Sequence, residues 1–169
     1  MSRKQFIERM TAATNAAIQV GAAISLPFTV AQAAHESGWG RSTLAVKGNN
    51  LFGVKAGHSW RGPTLDLPTW EYLPGIGKVR GIARWRKYAT WPECILDYAK
   101  VLKLPWFVES AEHVNDPYKF LACILPAPPS KAWPKGKPGW ATDPLYAEKI
   151  VAVGKAIEAM GGPKWEVGA

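Results

Sequence analysis

The chain has 169 residues, of which 47% are hydrophobic and 20% charged, and its formal net charge at pH 7 is +8. This length and composition suit one domain with a hydrophobic core, and they exclude a disordered chain or a disulfide-stapled miniprotein. The charge suits an anionic partner such as nucleic acid, a phospholipid surface or an acidic cell-wall polymer. We expect a single domain over residues 1–169, with a hairpin lobe at about 56–88 and a C-terminal tail at about 161–169.

Two helices are predicted before residue 40. Apolar residues recur at three- and four-residue steps over residues 3–20, which indicates a first amphipathic helix. Pro27 is a helix start signal and Gly38 is a stop signal, so a second helix should have Glu36 in its last turn.

The apolar stretch over residues 16–34 imitates a signal peptide. Polar residues interrupt it and Pro27 breaks it, so we expect neither a cleavable signal nor a membrane span. Cys94 and Cys123 lack a close pairing motif, and we expect buried thiols rather than a disulfide.

The middle of the chain reads as a hairpin. Residues 60–72 and 78–88 form two extended arms around the turn-rich residues 74–77. Strand alternation predicts a basic face over an apolar back in the second arm. The two faces consist of Lys78, Arg80, Arg84 and Arg86, and of Val79 and Trp85.

Helical signals return in the second half. Apolar periodicity predicts helices over residues 91–104 and 117–124. Asp143 followed by Pro144 is a favourable helix start, which predicts a last helix to about residue 160. Five prolines favour an extended exposed loop over residues 126–138.

Glu36 is the candidate general acid. A carboxylate in the last turn of a helix faces the negative end of the helix dipole, and nearby aromatic surface further disfavours its charge. Both effects favour the protonated form, which can donate a proton at neutral pH. By spacing alone, the commoner outcome is a solvated end to a polar stripe. That stripe consists of Ser25, Thr29, Gln32 and Glu36.

Six short runs follow one another between about residues 30 and 150. They are residues 31–40, 50–55, 60–63, 70–72, 85–88 and 141–146. In this order they resemble the glucosaminidase family of peptidoglycan hydrolases. The resemblance implies an α+β, mainly α, lysozyme-like fold, in which a cleft separates a helical lobe from a small β-hairpin lobe.

The resemblance also implies residue roles. Glu36, in the run Glu-Ser-Gly-Trp-Gly, matches the catalytic acid of the family, and Glu71 matches a proposed second carboxylate. Trp140 stands where the family has a tyrosine, so it lacks that hydroxyl but can stack on a sugar. Asp97 is expected to support the site from behind. The aromatic residues expected at the sugar cleft are Trp39, Phe52, Trp60, Tyr72, Tyr88 and Trp140.

Glycosidic cleavage needs an acid for the leaving oxygen and a second group for the positive centre. A separation between Glu36 and Glu71 of roughly 6.5 to 9.5 Å would suit inversion, and one near 5 Å would suit retention. A third route uses the acetamido group of the substrate as nucleophile. Glu71 could also be an exposed carboxylate that pairs with Arg84 or Arg86 across the strands.

The sequence thus predicts an endo-acting β-N-acetylglucosaminidase that cleaves the peptidoglycan glycan strand. A muramidase using the same acid, and a non-catalytic basic module for anionic polymers, are the alternatives. We expect a monomer without metal or organic cofactor. Trp39 stands where a zinc-protease helix needs its second histidine, so no zinc site is expected there. We expect it to bind peptidoglycan, with an anionic envelope surface as a further partner, but not nucleic acid. It would reach the wall by holin-type release, in a virion or by dedicated secretion.

Overall fold

The computed structural model describes residues 1–73, 75 and 77–166, and for residues 70–73 and 78 it describes the backbone only. Within those residues the chain forms a helical part and one antiparallel hairpin, which confirms the predicted mainly α, α+β class. The α-helices are α1 Arg3–Gln19, α2 Leu26–Ser37, α3 Thr43–Gly48, α4 Trp91–Val101, α5 Pro117–Ile124 and α6 Tyr146–Ala159. The other elements are a 3-10 helix Val108–His113 and the strands β1 Thr64–Leu73 and β2 Gly77–Arg86.

Helix α2 lies at the centre of the helical part, because α1, α5 and α6 all pack against it. Its ends follow the predicted signals: Ser25 is the extended N-cap, and Pro27 lies in the first turn. Gly38 is the C-cap in the left-handed conformation, with φ of 58°, which glycine adopts without the strain of a Cβ. Packing on three sides therefore fixes the end of α2, where Glu36 lies.

Three helical segments differ from their predicted bounds. Helix α4 ends at Val101 rather than at residue 104. Helix α6 begins at Tyr146, because the Asp143 carboxylate accepts a hydrogen bond from the Leu145 backbone N–H (2.9 Å) and closes a turn there instead of a first helical turn. The 3-10 helix was not predicted, because its six residues have no apolar periodicity.

The hairpin begins later than predicted. The chain turns over residues 57–60, where the Trp60 backbone N–H donates to the Gly57 carbonyl oxygen (3.0 Å). The Trp60 indole N–H donates to the carbonyl oxygen of Pro63 (3.0 Å), and β1 starts at Thr64. The register pairs Thr64 with Arg86 and continues to Leu73 opposite Gly77. Residues 74 and 76 of the predicted connecting loop lie outside the described residues.

The predicted basic face of β2 is only partly correct. Arg84 is exposed and forms an ion pair with Asp66 (3.2 Å). Arg86 is mostly buried, because its guanidinium bonds to Asp97 (2.7 Å). Ile82, between Arg80 and Arg84 on the same face, is 77% exposed. The strand therefore offers separate charges rather than one continuous basic surface.

The loop before the hairpin is tied to β2 through Asn50, a buried amide. Its Nδ2 donates to the carbonyl oxygens of Val54 (2.9 Å) and Arg86 (2.8 Å), and its Oδ1 accepts from the Val54 backbone N–H (3.1 Å). The Ala56 backbone N–H donates to the carbonyl oxygen of Arg84 (2.9 Å). These bonds join the hairpin to the chain that leaves the helical part, as expected for a structured loop.

The C-terminal tail packs onto the helices further than expected. Trp165 is 1% exposed and lies against Phe28 and Tyr118. Its ring occupies the space beside Gly154 in α6, where an added Cβ would lie 2.1 Å from it. Burial of a large apolar ring offsets the cost of ordering the tail. Residues 167–169 lie outside the described residues.

Two further expectations concern the chain as a whole. Cys94 is buried, Cys123 is half-buried and both are free thiols, so the expectation of thiols rather than a disulfide is confirmed. Within residues 1–73, 75 and 77–166, no helix combines the length and apolar character needed to cross a bilayer.

Candidate active site

Glu36 lies in the last turn of α2, with its side chain half-buried between that helix and α6. The Tyr146 hydroxyl, on the first residue of α6, donates a hydrogen bond of 2.7 Å to Glu36 Oε1. His35 lies beside this pair, with its ring edge-on to the Tyr146 ring at 5.7 Å. The close packing of α2 on α6 brings together residues 110 positions apart in sequence.

The environment of Glu36 raises its pKa above the ordinary value of 4.5. Burial is the largest cause, because a charge loses more hydration on burial than a neutral acid does. The hydrogen bond from Tyr146, the charge of His35 and a hydrogen bond from the Trp140 indole all lower the pKa, but they do not offset burial. Glu36 therefore holds its proton to higher pH than an exposed glutamate does, and Tyr146 donates a hydrogen bond to its carboxyl.

A chain of hydrogen bonds runs from Glu36 into the core. Gln32, one turn earlier in α2, donates from Nε2 to the Tyr146 hydroxyl oxygen (2.9 Å). The Tyr98 hydroxyl, on α4, donates to Gln32 Oε1 (2.6 Å). Gln32 and Tyr98 are fully buried and Tyr146 is 3% exposed. We call Tyr98, Gln32 and Tyr146 the relay, since they connect three helices to one carboxyl oxygen.

Sequence reasoning did not find the relay, although two of its members left a signal. Gln32 stands on the polar stripe four residues before Glu36, where a buried amide needs partners. Tyr146 closes the last of the six runs that carry the family resemblance. Nothing local connects either residue to Tyr98, which is 66 positions from Gln32.

Trp140 lies on the other side of the carboxyl. Its backbone N–H donates to the Ile124 carbonyl oxygen (2.9 Å), and its half-buried ring packs edge-on against Tyr98 (5.3 Å). The proline-rich loop before it is closed by a two-residue bridge between Ala127 and Lys137. The loop base therefore holds Trp140 in place. Trp140 stands where the family has a tyrosine, and its side chain is the smallest of the influences that lower the pKa of Glu36.

Asp97 does not touch Glu36 but holds the hairpin to α4. Its Oδ2 accepts from Arg86 Nη1 (2.7 Å) and from the Tyr88 hydroxyl (2.7 Å). The Arg86 guanidinium lies 4.8 Å from the centre of the Trp60 ring, which meets the Tyr88 ring edge-on. We call these four residues the Asp97 cluster: Asp97, Arg86, Tyr88 and Trp60. Asp97 therefore fixes the hairpin to α4, and its support of the site stays a prediction.

The structure separates the predicted aromatic residues by exposure. Phe52 is 1% exposed and stacks on Tyr98 at 4.0 Å, and Tyr88 is 5% exposed within the Asp97 cluster. Trp39 packs edge-on against Phe6 of α1. Trp60 and Trp140 are half-buried and keep more surface for a ligand. Sugar contact by any of them stays a prediction.

Glu71 and Tyr72 have side chains outside the described residues, so their predicted roles stay predictions. The backbone register pairs Glu71 with Val79. Neither Arg84 nor Arg86 stands opposite Glu71, so the cross-strand ion pair considered above is not supported by the register.

A mainly helical domain with a β-hairpin, in which a half-buried carboxyl at a helix end has a raised pKa, is typical of lysozyme-like glycoside hydrolases. The chain matches the model of the Glucosaminidase family over residues 11–159, a family described as mannosyl-glycoprotein endo-beta-N-acetylglucosaminidase. Since this match spans most of the chain, the protein belongs to the glucosaminidase family.

Relatives of known name agree with this membership. The chain is 34% identical to the peptidoglycan hydrolase FlgJ of Vibrio cholerae over 164 residues, which are 94% of this chain and 45% of that protein. It is 39% identical to the exo-glucosaminidase LytG of Bacillus subtilis over 128 residues, which are 75% of this chain and 42% of that protein. The chain thus spans less than half the length of these relatives.

Solved structures match the fold. The truncated glycoside hydrolase domain of Salmonella typhimurium FlgJ has a TM-score of 0.70 and 27% identity, with 94% of this chain and 99% of that domain covered. The catalytic domain of the autolysin Auto from Listeria monocytogenes has a TM-score of 0.71 and 25% identity, with 95% and 86% covered. The chain therefore shares the fold of these domains.

Proposed function

We propose that this chain is an endo-acting glycoside hydrolase that cleaves the glycan strand of peptidoglycan after N-acetylglucosamine, with Glu36 as the proton donor. The observation that carries the proposal is the Glu36 carboxyl, whose pKa is raised by burial while Tyr146 and Trp140 stand ready to bond its anion. An acid that favours its proton before the reaction and is stabilised after losing it fits both halves of the proton transfer. Relatives named as peptidoglycan hydrolases and as a glucosaminidase support the substrate class.

In the proposed reaction, Glu36 gives its proton to the glycosidic oxygen as the bond from that oxygen to the sugar C1 breaks. Positive charge develops on C1 and the ring oxygen. The new Glu36 carboxylate keeps the hydrogen bond from Tyr146, which restrains it for the return of a proton. The positive centre is met by Glu71, by water that Glu71 activates or by the acetamido oxygen of the substrate. Each of these three routes uses the same acid.

Binding of the glycan strand is proposed for the surface on both sides of Glu36. Trp140 and Trp60 offer ring surface suited to sugar faces. The net charge of +8 would favour approach to an anionic envelope. A monomeric state, the lack of nucleic-acid binding and the route by which the protein reaches the wall stay predictions.

The test is digestion of purified peptidoglycan by the native chain, by Glu36→Gln and by Glu148→Gln. The control, Glu148, is an exposed residue on the first turn of α6 and undergoes the same chemical change. Products are reduced with borohydride and identified by mass, because reduction marks the sugar that carries each new end. Their size distribution is followed over time to separate endo from exo cleavage.

The proposal expects reduced N-acetylglucosamine ends and a rapid fall in glycan length with the native chain and Glu148→Gln. Glu36→Gln should be slower by about a hundredfold or more. Reduced muramic acid ends would indicate the muramidase alternative, and disaccharides released from the start would indicate exo cleavage. If no ends form while the chain and Glu36→Gln both bind peptidoglycan, the chain is the basic binding module instead.

A further inference from the structure

The hydroxyl of Tyr98, at the buried end of the relay, determines which group donates and which accepts in each hydrogen bond. Tyr98 carries one hydroxyl hydrogen, and Gln32 Oε1 is its acceptor at 2.6 Å. Among the residues that the structure describes, no other acceptor is bonded to this hydroxyl. The Tyr98 side chain is fully buried, with its ring packed against Phe52 and Trp140, so the hydroxyl is shielded from bulk water. A buried hydroxyl that loses its acceptor is costly, and therefore Gln32 is held with its oxygen towards Tyr98.

The orientation of Gln32 then decides the orientation of Tyr146. With its oxygen towards Tyr98, the amide presents Nε2 to Tyr146, and an amide nitrogen only donates. The Tyr146 oxygen accepts that bond, so its single hydrogen points to Glu36 Oε1. In the reverse direction Tyr146 would donate to Gln32, Gln32 would donate to Tyr98, and the Tyr98 hydrogen would have no acceptor. The reverse arrangement is therefore disfavoured, because it leaves the buried Tyr98 hydroxyl hydrogen without an acceptor.

A permanent donor at Oε1 has a consequence for the acid itself. Glu36 Oε1 already accepts the Tyr146 hydrogen. An acidic proton on the same oxygen would be repelled by that hydrogen if it pointed towards Tyr146. We propose that Tyr98 and Gln32 are positioning residues that hold Tyr146 as a donor to Glu36 Oε1, so that the acidic proton of Glu36 is carried on Oε2. The inference rests on the proposed function, since it names the oxygen from which Glu36 donates.

The groups around Glu36 agree with a fixed direction. Burial and the nearby Glu36 charge raise the pKa of Tyr146, and burial raises the pKa of Tyr98, so both hydroxyls keep their hydrogens at neutral pH. His35 and Trp140 face the carboxyl from α2 and from the loop before α6, and both favour its anion. Neither of them bonds to the relay hydroxyls through a polar atom in the described structure.

The test is Tyr98→Phe, which removes the hydroxyl that sets the direction. The phenylalanine ring keeps the stacking on Phe52, and residue 98 does not touch the Glu36 carboxyl through a hydrogen bond. Without the Tyr98 hydrogen, Gln32 is free to turn and accept from Tyr146, which then stops donating to Glu36. The matched control is Tyr118→Phe, since Tyr118 is exposed and packs on Trp165 away from the relay.

The measurements are the pH profiles of kcat and KM and the titration of the Glu36 side-chain carbon by NMR. In Tyr98→Phe we expect kcat to fall about tenfold and KM to change by less than about twofold, because positioning rather than binding is lost. The Glu36 titration and the alkaline limb of the rate should both move to higher pH, because the bond from Tyr146 lowers the pKa of Glu36. Tyr118→Phe should change none of these quantities.

A double-mutant cycle separates positioning from general weakening of the core. If Tyr98 acts through Tyr146, adding Tyr98→Phe to Tyr146→Phe should produce no further movement of the Glu36 titration. Additive shifts, or a Tyr98→Phe protein whose Glu36 titrates as in the native protein, would overturn the proposal. The NMR titration needs no hydrolysis, so it decides on the relay even if the native chain fails to cleave peptidoglycan.

Discussion

The relay and the Asp97 cluster hold their polar side chains in opposite ways. The relay consists of neutral groups, each with a fixed donor and acceptor, and it ends at the Glu36 carboxyl. The Asp97 cluster is built on a nearly buried ion pair and ends at the hairpin. Hydrogen bonds between neutral groups can orient a proton without adding a charge that would dominate the pKa of Glu36. A buried ion pair instead fixes the positions of the two side chains that form it. We therefore expect changes in the relay to alter chemistry and changes in the cluster to alter stability.

The largest expected effect on stability comes from Asp97→Ala. This change leaves Arg86, whose side chain is 17% exposed, without its carboxylate partner. Loss of one partner of such a pair should lower the free energy of unfolding by about 3 to 5 kcal/mol. Urea denaturation measures the loss. The alkaline limb of the pH–rate profile should not move, and a shift there would break the separation between the two regions.

The largest expected effect on chemistry within the relay comes from Tyr146→Phe. It removes the hydrogen bond to Glu36 Oε1 and keeps most of the ring packing. We expect kcat to fall by about tenfold to a hundredfold, as for loss of a directed donor at a reacting group. The alkaline limb should move to higher pH, because the anion of Glu36 loses a stabilising bond. An unchanged limb with reduced stability would assign Tyr146 a packing role only.

A third prediction concerns the pH dependence of stability. The folded protein raises the pKa of Glu36, so it binds this proton more tightly than the unfolded chain does. The resulting stabilisation is fully present below pH 4.5, the ordinary pKa, and is lost as pH rises through the folded pKa. Glu36→Gln should therefore gain stability relative to the native chain between acid and neutral pH. Thermal unfolding of both proteins from pH 4 to pH 7.5 measures the difference, and a constant difference would contradict the raised pKa.

The smallest expected effect comes from Arg84→Ala on the exposed face of the hairpin. Its ion pair with Asp66 joins side chains that are 66% and 50% exposed. Exposed pairs contribute about 1 kcal/mol or less, and salt screens them. We expect a change in unfolding free energy below about 0.5 kcal/mol by urea denaturation. A loss as large as that of Asp97→Ala would show that the hairpin is held by its surface charges.

Features set by local backbone signals could be predicted from the sequence. The ends of α2 were predictable because Pro27 and Gly38 are local backbone signals, and Glu36 followed from its place at the end of that helix. The predicted start of α6 was wrong by two residues, because the side chain of Asp143 closes a turn instead of capping the helix. The residue types alone do not decide between these two local structures. The hairpin was predicted from alternation, but its first residue depended on the turn at Trp60.

The relay and the packed tail depended on distant parts of the chain. Gln32 and Tyr146 are 114 positions apart, and only the packing of α2 on α6 makes them partners. Burial of Trp165 depends on Gly154, whose missing Cβ leaves room for the indole. Such contacts carry no periodicity that one sequence reveals. Sequence reasoning therefore singled out Glu36 as the candidate acid, whereas the structure was needed to identify what surrounds it.

Our central claim is that Glu36 is the proton donor and that burial raises the pKa of its carboxyl. The most direct measurement is the pKa of the Glu36 carboxyl by side-chain NMR in the native protein, compared with the alkaline limb of kcat/KM on peptidoglycan fragments. We predict a Glu36 pKa above 4.5 that coincides with the alkaline limb. A Glu36 pKa at or below 4.5, or an alkaline limb unrelated to that titration, would contradict the claim.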